Sequence, residues 1–290
     1  MKREVKEVNE VNEVNEVKEV KDRTGEGLRM KVLVTFAVEA EFAAWRRLRT
    51  FNLIDYQGLK LRRTTVGTAE VTVLITGVGA QAAAQAMDLM MRMADKDQYF
   101  DVCVSSGLAG SLCETLSVGD IIAPKELIAE MVHADLGSDR IAVNGELRQL
   151  ALQQGAKSAD CLLTTDQILV KASQKKSCAS RAQSVDMESF EIVKEAMAWG
   201  ARGVVIRAVS DAATEDLPIN FNLTLSEKKE VSLAKVLMQL AKNPLALPSL
   251  IRFGRQSKRA GTLLAEFLES YLQDLADLES SKRVSEVAAR

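Results

Sequence analysis

The chain has 290 residues, 47% of them hydrophobic and 27% charged, and a formal net charge of -2. It is long enough to bury the core of one large domain or two small ones, and its near neutrality offers no field that would gather nucleic acid or acidic partners. A single histidine excludes two-histidine zinc sites and confines any Ser-His-Asp triad to His133, so the chemistry falls to carboxylates acting on a small molecule.

Residues 1–29 carry the tripeptide repeat "VNEVNEVNEVKEVK". A three-residue step drifts around a helix and leaves no apolar stripe, so this segment is expected to be a disordered extension, with a natural domain start at Met30. No apolar run reaches the length of a membrane span and no signal-peptide core precedes Met30, which predicts a cytoplasmic chain. The four cysteines, Cys103, Cys113, Cys161 and Cys178, lack metal-ligand spacing and are expected as reduced, mostly buried thiols.

From Lys31 the pattern alternates. "KVLVTFAV" predicts a buried strand and Glu41 to Leu48 a helix, while "LKLRRTTV" and "EVTVLIT" predict a strand pair around the turn "GTAE". "AQAAAQAMDLMMRMA" predicts a helix with a Met-rich core face. "DVCVSS" reads as a short buried strand ending in a glycine turn, "GLAGSL", and "VGDIIAPKELIAEMV" as strand pieces. "ADCLLTT", a short helix over 172–179, "AQSVDM", the helix "ESFEIVKEAMAWG" and the strand "GVVIRAVSD" continue the alternation. This predicts an α/β domain with a mostly parallel sheet over residues 30–225.

Residues 226–290 read as C-terminal helices packed on or extending that domain. Within them "NPLALPSLIRFGRQSKRAGTLLAEFLESYL" joins apolar residues to Arg252, Arg255, Lys258 and Arg259. A solvated outer helix face is the plainer account of those cations, and weak contact with an anionic membrane surface is the sharper one.

Ligands of open α/β sheets collect at the carboxyl ends of strands. Glu39 and Glu41, Gly77 and Gly79, Gly107 to Gly110, Asp186 and Glu188, and Ser210 and Asp211 all fall at such ends. Each alone could be a cap or a tight turn, but five on one edge point to a site. "TGVGAQAA" has Ala82 where a dinucleotide fingerprint wants its third glycine, so its backbone N–H groups suit an anion or sugar hydroxyl better than NAD.

Taken together, "AVEAEF", "TGVGAQAAAQAM", "SSGLAGSL" with "VGDIIAP", "SVDMESFE" and "VVIRAVSDAATED" resemble the ordered motifs of the nucleoside phosphorylase and nucleosidase superfamily over about residues 31–222. The resemblance implies a three-layer α/β/α fold with a mixed, mostly parallel central sheet, and a homo-oligomer such as a dimer. Two branches compete: 5'-methylthioadenosine/S-adenosylhomocysteine nucleosidases of methionine salvage, and phosphorylases that release adenine from adenosylhopane in hopanoid lipid synthesis. Carried over by position, Glu41 activates the nucleophile, Glu188 binds the ribose hydroxyls, Met187 packs on the sugar, and Asp211 protonates the purine with Ser210 holding it. Gly79, Gly107, Ala109, Gly110 and Ile168 would complete the substrate pocket. Neither a cofactor nor a metal is implied; inorganic phosphate would be co-substrate of a phosphorylase.

The chemistry suits those roles. Cleaving a ribose-to-purine bond passes through an oxocarbenium-like sugar, which calls for a proton to the base, charge stabilisation near the ring and a nucleophile on the far face. Two positions depart from the nucleosidase branch: Ile168 stands where that branch stacks an aromatic, and Leu108 where its turn has serine. Arg46, Arg47 and Arg49, on the helix predicted after Glu41, are read as a solvated face and not as phosphate ligands, and hydrolase versus phosphorylase stays open. The rival class is a catalytically silent nucleoside-binding module.

Overall fold

Runs rich in Val, Ile, Leu and Thr become strands because branched side chains pack well on a pleated surface. In the computed structural model, which describes residues 29–56, 59–93, 99–129, 140–223 and 233–288, these runs form one ten-stranded sheet. The strands are β1 (Lys31–Phe36), β2 (Asn52–Tyr56), β3 (Leu59–Val66), β4 (Ala69–Ile75), β5 (Val102–Ser111), β6 (Ile121–Ala129), β7 (Arg140–Ala142), β8 (Lys157–Thr164), β9 (Ser184–Asp186) and β10 (Arg202–Asp211). The helices are α1 (Glu39–Phe42), α2 (Trp45–Leu48), α3 (Ala80–Met93), α4 (Gly145–Gln153), α5 (Ala172–Cys178), α6 (Ser189–Ala198), α7 (Leu233–Lys242) and α8 (Leu247–Ala288).

The sheet is mixed. β4, β1, β5 and β10 run parallel through its middle, and β2 and β3 extend one side antiparallel. On the other side β6, β8 and β9 fold round so that β9 pairs the end of β5 and β10 pairs both β5 and β6. That part of the sheet therefore closes on itself, and its upper rim gathers the ends of β5, β9 and β10 at one place. Across β5 and β10, a register shift between Val209 and Asp211 forms a bulge that turns Ser210 out of the ladder.

Helices cover both faces. Met87, Met90 and Met91 of α3 pack with Ile192 and Ala196 of α6 against Leu33 and Cys103, so the Met stripe is core, as its spacing predicts. On the opposite face Phe42 and Trp45 lie with Leu147 and Ala151 of α4 and with α8. α8 is 42 residues long, and its buried Ala260, Leu264, Leu268, Tyr271, Leu272 and Leu275 recur at helical spacing, which places one stripe on the sheet. Tyr271 Oη donates to the Leu147 carbonyl, satisfying its buried hydroxyl. No helix among the described residues is long and apolar enough to cross a membrane.

Three local expectations are corrected. "GLAGSL" is not a turn: Gly107 to Ser111 continue β5, with Gly107 to Gly110 paired along β10 and Ser111 paired to Ser184 of β9, because the glycines serve close approach across the strands instead of chain reversal. The helix expected from Glu41 to Leu48 is two four-residue pieces, α1 and α2, separated at Ala43 and Ala44. Arg46, Arg47 and Arg49 therefore do not continue the Glu41 helix; Arg49 instead reaches Glu269 of α8 at 2.6 Å, where Trp45 Nε1 also donates. The four cysteines are unpaired thiols, three buried and Cys113 partly open. The repeat segment, apart from Arg29, and His133 lie outside the described residues.

Candidate functional site

The rim where the strand ends meet surrounds a cavity of about 240 Å3. Glu41, Glu188 and Asp211, which are far apart in the chain, all line it, with Met187, Ser210, Ala109, Gly110 and Ile168. Gly79 reaches it through Glu188, and Gly107 sits beneath Glu41. Glu39 does not belong: it lies on the surface and pairs with Arg62.

Arg207 gathers the acids at one end of the site, and its position in the middle of a strand gives it no role among the strand-end motifs. It is fully buried on β10, 2.8 Å from Asp186 and 3.7 Å from Glu188, and donates to the hydroxyls of Ser105 and Ser189. A charge inside an apolar strand must be paired or it is very costly, which is the signal "VVIRAV" carried.

The acids of "VDMES" do different work. Asp186 binds Arg207, accepts from Thr164 Oγ1 at 2.8 Å and from the Ser189 N–H at 3.1 Å, and so fixes the start of α6. Glu188 points to the cavity and accepts from the Gly79 N–H at 2.8 Å. The positive φ of Gly79, 93°, turns that N–H toward the carboxylate. Burial, with Asp186 and Glu41 nearby, pushes the Glu188 carboxyl up to about 7 against the pull of Arg207 and the Gly79 N–H.

Glu41 accepts from the Leu108 N–H at 3.0 Å and the Ala37 N–H at 3.1 Å, so β1 and β5 together aim it. Burial raises its carboxyl above the ordinary range, opposed by Arg207 and these N–H groups. A carboxyl enclosed this way is suited to take a proton from water. At the other end, Asp211 accepts from Ser210 Oγ at 2.6 Å through Oδ1 and from Lys175 Nζ at 2.5 Å through Oδ2. Lys175, from α5, is buried and was also missed, since "SQKKS" reads as a solvated helix.

Apolar groups form much of the remaining wall, beside Thr165 and Gln167. Ile168 is held by reciprocal bonds between its backbone and the Asn222 side chain. Leu217, Phe221 and Phe253 line the cavity together, with the two phenyl rings 5.3 Å apart. Phe253 comes from α8, so the C-terminal helix contributes to the site.

Comparison with known proteins gives the family and the fold. Residues 31–242 match the family model described as the phosphorylase superfamily. A 5'-methylthioadenosine/S-adenosylhomocysteine nucleosidase of Glaesserella parasuis is 23% identical over 211 residues, 65% of this chain and 88% of the relative. Among solved structures, the chain is similar to a nucleosidase of the same name from Helicobacter pylori bound to butyl-thio-DADMe-Immucillin-A, with TM-score 0.64 at 18% identity over 85% of this chain and 99% of that one. It is equally similar to a Helicobacter pylori futalosine hydrolase, with TM-score 0.64 at 18% identity over 84% and 98%.

Proposed function

The chain belongs to the phosphorylase superfamily, and from that premise we propose that it hydrolyses the N-ribosyl bond of a purine nucleoside, a 5'-substituted adenosine, releasing adenine. The observation that carries this reading is the convergence of Glu41, Glu188 and Asp211 on one cavity. Glu188 accepts the ribose hydroxyls and, in its ionised form, stabilises the positive charge that develops on the sugar. Glu41 takes the proton of the attacking water, and Asp211 delivers one to the departing base. Met187 packs on the sugar and Ile168 covers the base.

Water is favoured over phosphate because Lys175, which lines the cavity, and Arg207, buried behind its acids, are already engaged. Arg207 faces Asp186 and Glu188, and Lys175 faces Asp211. A phosphate would have to compete with these carboxylates for its ligands. The rival, a silent binding module, is separated by Asp211→Asn: as an enzyme the variant keeps nucleoside affinity and loses turnover, whereas unchanged turnover removes Asp211 from the mechanism.

A second reading of the substrate rests on the apolar wall. Leu217, Phe221 and Phe253 fit a long apolar 5' substituent, as in adenosylhopane, and Leu245, Leu247 and Ile251 expose apolar side chains near Arg255 and Lys258 on the same helical segment. Such a surface suits weak contact with anionic lipid. Comparing release of adenine from 5'-methylthioadenosine and from adenosylhopane, with and without phosphate, decides between the substrates; flotation with anionic liposomes tests the contact. A homodimer is proposed on family likeness, and sedimentation checks it.

A further inference from the structure

Lys175 is a buried lysine whose ammonium is fully committed. Its Nζ donates to Asp211 Oδ2 at 2.5 Å, to the Ala212 carbonyl at 2.7 Å and to the Glu215 carbonyl at 3.0 Å. Three protons meet three acceptors, and two of those acceptors are backbone carbonyls just after β10. The side chain is 1% exposed and that of Asp211 9%, so the pair is almost completely withdrawn from water.

Asp211 has both oxygens occupied. Oδ1 accepts from Ser210 Oγ, whose hydroxyl is also near the Ala109 carbonyl at 3.3 Å, and Oδ2 accepts from Lys175. A carboxylate paired in this way has no proton of its own to give. The protons within reach belong to a serine hydroxyl, a very weak acid, and to an ammonium. Glu41, Glu188 and Asp186 are gathered around Arg207 at the other end.

We propose that Lys175 supplies, through Asp211, the proton taken by the departing base. This deepens the N-ribosyl cleavage reading and rests on it. Substrate filling the cavity removes water, and in a low-dielectric site a proton shift from Nζ to Oδ2 discharges both partners. As the bond from the sugar anomeric carbon to the base nitrogen breaks, its electron pair leaves with the base. Asp211 Oδ2 passes the proton to a ring nitrogen and returns to carboxylate. Lys175 is left a neutral amine with two N–H groups for the Ala212 and Glu215 carbonyls. Water oxygen joins the anomeric carbon and its proton goes to Glu41; after product release Glu41 loses that proton to solvent and Lys175 regains one. Lys175 acts through Asp211 and is a positioning and proton-supplying residue.

The test compares two leaving groups on the full chain: 5'-methylthioadenosine, whose adenine needs a proton, and 4-nitrophenyl riboside, whose phenolate does not. In Lys175→Met, kcat should fall by about 100-fold or more on the nucleoside and by less than about threefold on the nitrophenyl riboside. Lys175→Arg keeps the charge but does not surrender a proton, and should show the same split. Equal losses on both substrates, or full activity in Lys175→Arg, would reduce Lys175 to a structural partner and overturn the proposal. Wild-type protein gives an independent reading should either variant fail to fold: the solvent deuterium effect on kcat is expected to be larger with the nucleoside, and equal effects overturn the proposal. Wild-type protein that cleaves neither substrate contradicts the enzyme reading itself, whereas normal wild-type turnover with an unaffected Lys175→Met contradicts only the proton supply.

Discussion

Glu41 and Arg207 meet over the backbone of Gly107: a Cβ placed there would lie 2.9 Å from Glu41 Oε2 and 2.5 Å from Arg207 Nη1. Gly107 also has a φ of +139°, a region that L side chains rarely adopt. Gly107→Ala must therefore displace one or both charged groups. Displacement of this kind is expected to lower kcat/KM by about 100-fold. Backbone strain should lower stability by about 1–3 kcal/mol, read by thermal unfolding. Normal kinetics in a folded Gly107→Ala would show that this close packing is not needed.

Arg207 is expected to matter for folding as well as for catalysis. Arg207→Met leaves Asp186 and Glu188 together in a buried site without their cation. Breaking one side of a buried ion pair costs about 3–5 kcal/mol, and denaturant titration measures it. Adding Asp186→Asn to Arg207→Met should restore part of that loss, since one uncompensated charge is then removed.

The Glu188 carboxyl gives the protein a pH signature. Its value is raised by burial from 4.5 to about 7, so the folded state holds the proton more tightly than the unfolded chain. The stability this confers is complete below 4.5 and is lost as pH rises through about 7. Thermal midpoints measured across that window should fall more steeply for wild type than for Glu188→Gln. Parallel curves would contradict the burial of an ionisable group there.

α8 makes a prediction of the opposite kind. Leu268 is fully buried on the sheet face of α8, away from the cavity wall that Phe253 forms. Leu268→Ala should cost about 2–5 kcal/mol of stability while leaving kcat nearly unchanged below the unfolding transition. Phe253→Ala should do the reverse, changing KM for the 5' substituent more than the thermal midpoint.

Much of this arrangement was legible from the residues. Glu41 and Glu188 come just after strands and Asp211 closes one, and strand ends are where α/β sheets gather ligands. The α/β alternation and the Met-rich core face were equally plain. Arg207 was overlooked because it sits inside the strand and not at its end, although a lone charge among "VVI" and "AV" was the clue. Lys175 was hidden by its neighbour: Lys176 is exposed and Lys175 buried, a difference set by where α5 packs and not by local composition. The glycines of "GLAGSL" were misread because chain reversal and close strand approach both select glycine. The break between α1 and α2 falls at two alanines, good helix formers, so no local residue announced it.

The central claim is tested most directly by incubating the protein with 5'-methylthioadenosine in isotopically heavy-oxygen water containing phosphate, and analysing both products. The account predicts free adenine and a sugar carrying the heavy oxygen at its anomeric carbon, with none of either from Glu41→Gln. Formation of a sugar 1-phosphate would assign the nucleophile to phosphate. No base released from this substrate, from S-adenosylhomocysteine, from adenosylhopane, from adenosine or from inosine would contradict the account as a whole.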